Sequence, residues 1–328
     1  MAIIVIIHSY SPKRKREFGL RFSVCSLRPF LTPSDSPPPG QLFARAFPDA
    51  VRHLDMSCLY SSIGKRDWPS DRVKWAYVAR HVTLCRSWPQ SPHIYGRLKR
   101  LTERTPDWFV LTSNGDCMFE GNGFDMQRVA TPQGVQTSVC VLLWRCISSM
   151  SLILRAYLQL FELCLLLTGS YGLLQCFPRP CRRDAVWPSA PVYERLLANL
   201  EGGDAAGPMR VKDECALPAC PHCDGSAFLN VRGGNWFLED HFQPLNQRLA
   251  AWLAGAHGKR LVVLEIGAGF NTPGVVRLPC EAAVRGAGAH ARLIRVNVQH
   301  PQTPADLGER CVGIAMDAEE ALSRLCDE

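Results

Sequence analysis

The 328-residue chain lacks an even set of cysteines, a charge-free apolar run long enough for a membrane, and a basic excess spread over its body. Each absence closes off a class of function. The formal net charge is +7, but residues 1–30 hold Lys13, Arg14, Lys15, Arg16, Arg21 and Arg28 against Glu17, a local +5 that leaves only +2 for the remainder. The body is therefore no polybasic nucleic-acid binder, and no nucleic-acid partner is expected. A secretory leader is not expected: the run Ala2–Ile7 is short, and its basic residues follow it instead of preceding it. Fifteen cysteines, an odd number in a long chain, argue against a secreted disulfide framework. They fit a reducing, cytoplasmic setting in which some thiols hold a metal and others are buried. The cluster Pro12–Arg16 reads as a solvated basic tail or a nuclear import sequence. An apolar content of 47% excludes wholesale disorder.

Along the chain, residues 1–40 read as a disordered tail: basic, then proline-rich, with no sustained period of 2 or 3.6. Residues 41–134 read as folded. Their spacing predicts helices over Val73–Cys85 and Ile94–Leu101 and a buried strand over Trp108–Ser113. Residues 135–169 carry only Arg145, Arg155 and Glu162, and no 20-residue window there is both strongly apolar and uncharged. The segment reads as an insertion, not a membrane span, and no membrane partner is expected. Residues 170–235 carry paired cysteines and turn residues. Residues 236–328 return to alternation, with a helix at Gln247–Gly258, strands at Arg260–Ile266 and Ala291–Val298, and a closing helix at Asp317–Cys326. Strands alternating with helices imply a parallel α/β sheet.

Three patterns carry chemistry. Cys176-x4-Cys181 and Cys220-x2-Cys223 set two thiol pairs on tight turns, the arrangement of a closed tetrahedral zinc site that holds a fold without performing catalysis. Cys215 and His222 are competing ligands, and a pair of unligated turns is the plain alternative. Val262–Gly274, a strand running into Gly267-Ala268-Gly269, suits a close backbone approach to a nucleotide. It fits a nicotinamide dinucleotide site or a methyltransferase. The 59 residues after Gly269 leave room for about one further strand, too few for a methyltransferase sheet. Third, Val110–Asp116 is a buried strand ending in Ser113-Asn114-Gly115-Asp116, which by itself is only a turn.

Taken in order, these segments resemble the sirtuin family. Phe109–Asp116 looks like the family's nucleotide strand and turn, and Thr131–Gly134 joined to Ser170–Cys176 looks like the segment bearing the catalytic residue ahead of the first zinc cysteine. Asn230–Asp240 resembles the substrate-facing segment, Arg295–Asn297 the strand whose Asn meets the adenosine ribose, and Ala315–Leu322 the adenine-side turn and helix. The similarity spans 41–134 and 170–328. It implies a Rossmann-like α/β fold with an inserted zinc-ribbon module on Cys176, Cys181, Cys220 and Cys223, NAD and zinc as cofactors, and a protein substrate. Gln133 stands where lysine-deacylating sirtuins carry histidine, and with Asn271-Thr272-Pro273-Gly274 it is similar to the macrodomain-linked sirtuins. Those are associated with protein ADP-ribosylation, often beside lipoylated carrier proteins. Glutamine cannot titrate but can orient a ribose hydroxyl. The resemblance gives Asn114, Asp116 and Gln133 to catalysis and Ser113, Asn114, Asp116, Gly267, Ala268, Gly269, Asn271, Asn297 and Asp317 to the nucleotide. It leaves protein deacylation and a degenerate, non-catalytic zinc-stabilised binding protein as alternatives.

Two departures bear on activity. Sirtuins open with a strand and a Gly-Ala-Gly-x-Ser loop, and residues 1–60 offer only isolated glycines such as Gly19 and Gly40. The first strand and its loop are therefore expected to be missing. The segment 135–169 interrupts the path from Gln133 to the cysteines. The expectation is a missed first exon and a translated intron, with a real, divergent and inactive protein as the alternative.

Overall fold

Apolar runs become parallel strands, and helices cover them on two sides. The computed structural model describes residues 2–7, 39–62, 65–86, 94–105, 107–131, 169–203, 207–232, 234–270 and 273–326. In chain order the elements are β1 (Ala2–Ile7), α1 (Pro39–Ala46), α2 (Pro48–His53), α3 (Asp71–Arg86), α4 (Ile94–Glu103), β2 (Asp107–Thr112), the single turn α5 (Met118–Gly121), β3 (Val129–Ala130), β4 (Gly169–Cys176), β5 (Val186–Pro188), α6 (Ala190–Leu197), β6 (Leu200–Glu201), β7 (Arg210–Val211), β8 (Ala227–Val231), α7 (Gln243–Gly255), β9 (Leu261–Ile266), α8 (Arg277–Ala287), β10 (Arg292–Val296), β11 (Cys311–Ile314) and α9 (Ala318–Cys326). They form two units, one of residues 1–10, 90–169 and 239–328, the other of residues 11–89 and 170–238. This differs from the expected plan, because 41–89 joins the cysteine-bearing segment instead of 90–134.

The first unit holds a six-stranded sheet in the order β11-β10-β9-β1-β2-β3. All its neighbours are parallel. Numbered by their sequence within this sheet, the strands run 3-2-1-4-5-6, the doubly wound dinucleotide order. The run Ala2–Ile7 is the central strand, paired in register with β2 and β9. That overturns the expectation of a missing first strand and of an unbroken tail over 1–40, which also ends early, since α1 begins at Pro39. A central parallel strand is normally apolar throughout, so six apolar residues carry no period to read. Two strands, not one, follow Gly269. Residues 8–38, which follow β1, lie outside the described residues.

Period-2 alternation distributes the strand side chains between two cores. On one face Phe109, Leu111, Leu261, Val263 and Leu293 pack with Leu249 of α7 and Cys280 and Val284 of α8. On the other Trp108, Val110, Leu264, Ile266 and Val296 pack with Leu98 of α4 and Leu322 of α9. At about 25 cal/mol per Å² of apolar surface, each fully buried Leu, Val or Phe contributes roughly 1.5–3 kcal/mol relative to exposure. The first face also buries a charge cluster. Arg295 donates from Nε and Nη2 to both carboxylate oxygens of Glu265 at 2.6 and 2.9 Å, and from Nη2 to Glu281 at 2.9 Å. Arg295 and Glu265 are each 0% exposed.

In the second unit β4 lies between β5 and β8. Helix α3 buries Trp75, Tyr77, Val78 and Val82. Asp49, almost fully buried, accepts from Arg80 Nη1 at 3.0 Å and from the Met209 amide at 3.0 Å. Desolvation works against ionisation of this carboxyl, but the Met209 amide and Arg80 hold it below the usual carboxylate range. Among the described residues no helix is long and apolar enough to cross a membrane. The segment 135–168 lies outside them.

Candidate functional site

The strand registers align Ile314, Val296, Ile266, Ile7 and Thr112 in one row across the sheet. The turns that follow therefore leave from a single carboxyl edge, where open α/β sheets bind ligands. With strands about 4.8 Å apart, Thr112 and Ile266 stand roughly 10 Å from each other across β1.

After β2 the chain turns sharply. The Asn114 amide donates to Thr112 Oγ1 at 3.1 Å, which fixes Asn114 through its backbone and leaves its carboxamide uncommitted among the described residues. Asp116 Oδ1 accepts from the Met118 amide at 3.1 Å and so satisfies the first amide of α5. Between them Cys117 adopts left-handed geometry at φ 62°. Desolvation pushes the Asp116 carboxyl up to about 6, against the pull of the Met118 amide. Gly115 suits this turn, because a Cβ would sit a tight 3.1 Å from the Gly169 carbonyl oxygen.

After β9, Gly267 turns the chain at φ 75° and its amide donates to the Val296 carbonyl at 2.9 Å. Asn297 locks this turn to its neighbour. Its Nδ2 donates to the Ala268 carbonyl at 3.0 Å, while its Oδ1 accepts from the Gln299 and His300 amides at 2.8 and 2.9 Å. Asn297 is thus largely occupied in holding two turns together. Asp317 caps α9 by accepting from the Glu319 amide at 2.8 Å. Its backbone carbonyl accepts from Ala321 at 2.9 Å.

The structure brings Cys176, Cys181, Cys220 and Cys223 together, with all four Sγ atoms within 4.8 Å of one another. Two of the separations are 3.7 Å (Cys176–Cys223) and 3.8 Å (Cys181–Cys220). A tetrahedron of sulfurs at ~2.3 Å from a zinc ion has edges of about 3.8 Å, so the donor set fits a metal of that size and preference. Desolvation and then the sulfurs of Cys223 and Cys220 push the Cys181 thiol up to about 12. Burial opposes ionisation of Cys220, but the amides of His222 and Cys223 bring it below its ordinary range. Four crowded thiols resist ionising together unless a cation compensates them. Cys215 and His222, the competing ligands, are not in the cluster.

Of the expected site residues, Ser113, Asn114, Asp116, Gly267, Ala268, Gly269, Asn297 and Asp317 belong to turns at the carboxyl edge of the first unit. Gln133 and Asn271 lie outside the described residues. Sequence reasoning missed Arg277, Phe270, His300 and Gly313. Gly313 has a plain reason: a Cβ there would fall 2.0 Å from the Pro301 carbonyl oxygen, so β11 and the loop after β10 meet through bare backbone.

No family model matches the chain. It is 31% identical over 259 residues to a probable bifunctional ADP-ribose hydrolase/ADP-ribosyltransferase of Fusarium oxysporum f. sp. cubense, covering 78% of this chain and 36% of that one. It is 24% identical over 283 residues to a protein ADP-ribosyltransferase of Staphylococcus aureus strain Mu50, covering 85% of this chain and 74% of that one. The chain thus spans little more than a third of the fungal relative's length. Among solved structures it matches a Sir2 homologue in complex with NAD, at 12% identity and a TM-score of 0.46, covering 87% of this chain and 84% of that one. Both sequence relatives carry ADP-ribosyltransferase names.

Proposed function

We propose that this sirtuin-like chain transfers ADP-ribose from NAD to a protein side chain, with nicotinamide as the leaving group. The observation that carries the reading is the common carboxyl edge, with the Ser113–Asp116 and Gly267–Gly269 turns on either side of central β1 in a 3-2-1-4-5-6 sheet. In the reaction the glycosidic C–N bond breaks and its electron pair leaves with nicotinamide. An acceptor heteroatom then bonds to the ribose carbon and gives up its proton. The Asn114 carboxamide orients the ribose or the attacking group. Asp116, with its carboxyl near 6, is mostly ionised at neutral pH and positions the nicotinamide amide or ribose, close to where positive charge develops. Gln133 hydrogen-bonds the ribose without titrating, which favours simple transfer over the base-dependent steps of deacylation. Gly267, Ala268, Gly269 and Asn271 line the phosphate and ribose region, with Asn297 on the adenosine side and the Asp317 backbone toward adenine. The four cysteines hold zinc as a structural ion, and a lipoylated carrier protein is the acceptor class that the resemblance suggests.

The test uses the full chain with NAD and reads nicotinamide release together with metal content. Asn114→Ala is expected to abolish release, a loss of at least about 100-fold, with the metal retained. Unchanged turnover in that variant removes Asn114 from the chemistry. An ADP-ribosylated protein product supports transfer, an acyl-ADP-ribose product supports deacylation, and no nicotinamide release from the unmodified chain supports a non-catalytic binding protein.

A further inference from the structure

Arg277 opens α8 and is only 4% exposed, yet it makes no ion pair among the described residues. Its guanidinium is spent on carbonyls of two separate turns. Nη1 donates to Ala268 at 3.2 Å and to His300 at 3.0 Å, and Nη2 donates to Gln302 at 2.6 Å. The same guanidinium lies 4.3 Å from the centre of the Phe270 ring. His300 meets that ring edge-on, with centroids 5.0 Å apart and planes at 77°. Phe270 nevertheless remains 57% exposed, at the carboxyl edge of the sheet. The ring is thus held from two directions while one of its faces stays open to solvent.

Resting on the NAD reading above, we propose that Arg277 is a positioning residue that joins the Gly267–Phe270 turn to the His300–Gln302 loop, and that it presents Phe270 as a stacking platform for a heteroaromatic ring of the dinucleotide. The chemistry suits both partners. A planar guanidinium offers several donors in a fixed fork, so one side chain serves three carbonyls and stacks on a ring at once, which the point charge of lysine does not reproduce. A phenyl face that already has a cation behind it accepts a planar base by stacking. The contact needs no polar group, so it recognises the ring's shape and leaves the site's hydrogen bonds to the ribose and phosphates.

Three variants test this. In ligand-free protein, Arg277→Lys is expected to raise amide hydrogen exchange at 267–270 and 299–302 while β9 and β10 stay protected. Phe270→Ala, a change at an exposed side chain, is expected to leave exchange and melting temperature as they were. Both variants are expected to weaken NAD and ADP-ribose binding about tenfold, a loss of about 1.4 kcal/mol. They raise KM for NAD with kcat changed much less, and Phe270→Trp restores binding. Unchanged exchange in Arg277→Lys overturns the joining role. Undiminished affinity in Phe270→Ala overturns the platform. If the unmodified chain binds neither NAD nor ADP-ribose, the NAD reading itself fails and the platform falls with it, while the exchange result still decides whether Arg277 joins the turns.

Discussion

At Asp116 the cost of burying a charge meets the role in chemistry proposed for it. Its carboxyl is raised by desolvation to about 6, above its ordinary value of 3.8. In the folded state it therefore holds its proton to higher pH than in the unfolded chain. Stability falls as pH rises from about 4 to about 6, because the unfolded chain releases that proton first, and then stays level. A shift of about two units corresponds to at most ~3 kcal/mol, and about 1–2 kcal/mol once the carboxyl's partial contact with solvent is allowed for. Asp116→Asn keeps an acceptor for the Met118 amide and removes the buried charge. We expect it to stabilise the protein by that amount above pH 6, to lose the advantage by pH 4, and to lower NAD turnover. Urea midpoints measured between pH 4 and 8 check the first part, and a midpoint difference independent of pH would remove the buried charge as its cause. Asn114 and Asp116 were legible as residue types in a turn, and only the family resemblance made that turn a candidate site. Arg277 was not legible, because an arginine inside Val275–Cys280 has no spacing signal and its three acceptors come from turns distant in sequence.

At the scale of elements, strong periodicity translated directly. The helix expected at 73–85 is α3, those at 94–101 and 317–326 are α4 and α9, and the strands at 108–113 and 260–266 are β2 and β9, with ends moved by a few residues. The central strand failed for a physical reason. Ala2–Ile7 has neither alternation nor a following glycine turn, so nothing local separates a sheet centre from an apolar tail. The cysteine pairs were legible from spacing, yet spacing alone could not choose among Cys215, His222 and the four that meet. The proposed ion makes a further prediction. The purified chain is expected to contain one zinc per molecule, and Cys220→Ser, at a position 2% exposed, is expected to remove it and lower the melting temperature by about 10 °C or more. Elemental analysis with a thermal melt decides the matter. A metal-free chain with an unaltered melt would make the cluster four ordinary thiols.

The whole molecule must also accommodate residues 132–168, and the first unit shows why it can. Ala130 pairs with Leu111 at the end of β2, and Gly169 sets its carbonyl oxygen against the Gly115 position of the turn that follows. The chain thus departs and returns beside the same strand end, within the reach of a few residues at ~3.5 Å each. Excursions that close on themselves in this way are removable without disturbing the elements they leave, since loop closure grows cheaper as the loop shortens. A variant joining Gly134 directly to Ser170, which also takes Gly169 from the start of β4, is therefore expected to keep its metal content and to melt at the same temperature as the full chain or higher. It also restores the short path from Gln133 to Cys176, so nicotinamide release should be equal or faster. A variant that no longer folds would show that residues 135–169 contribute packing that this strand end requires. A variant that folds and loses NAD turnover would place part of the nucleotide or acceptor site on the removed segment.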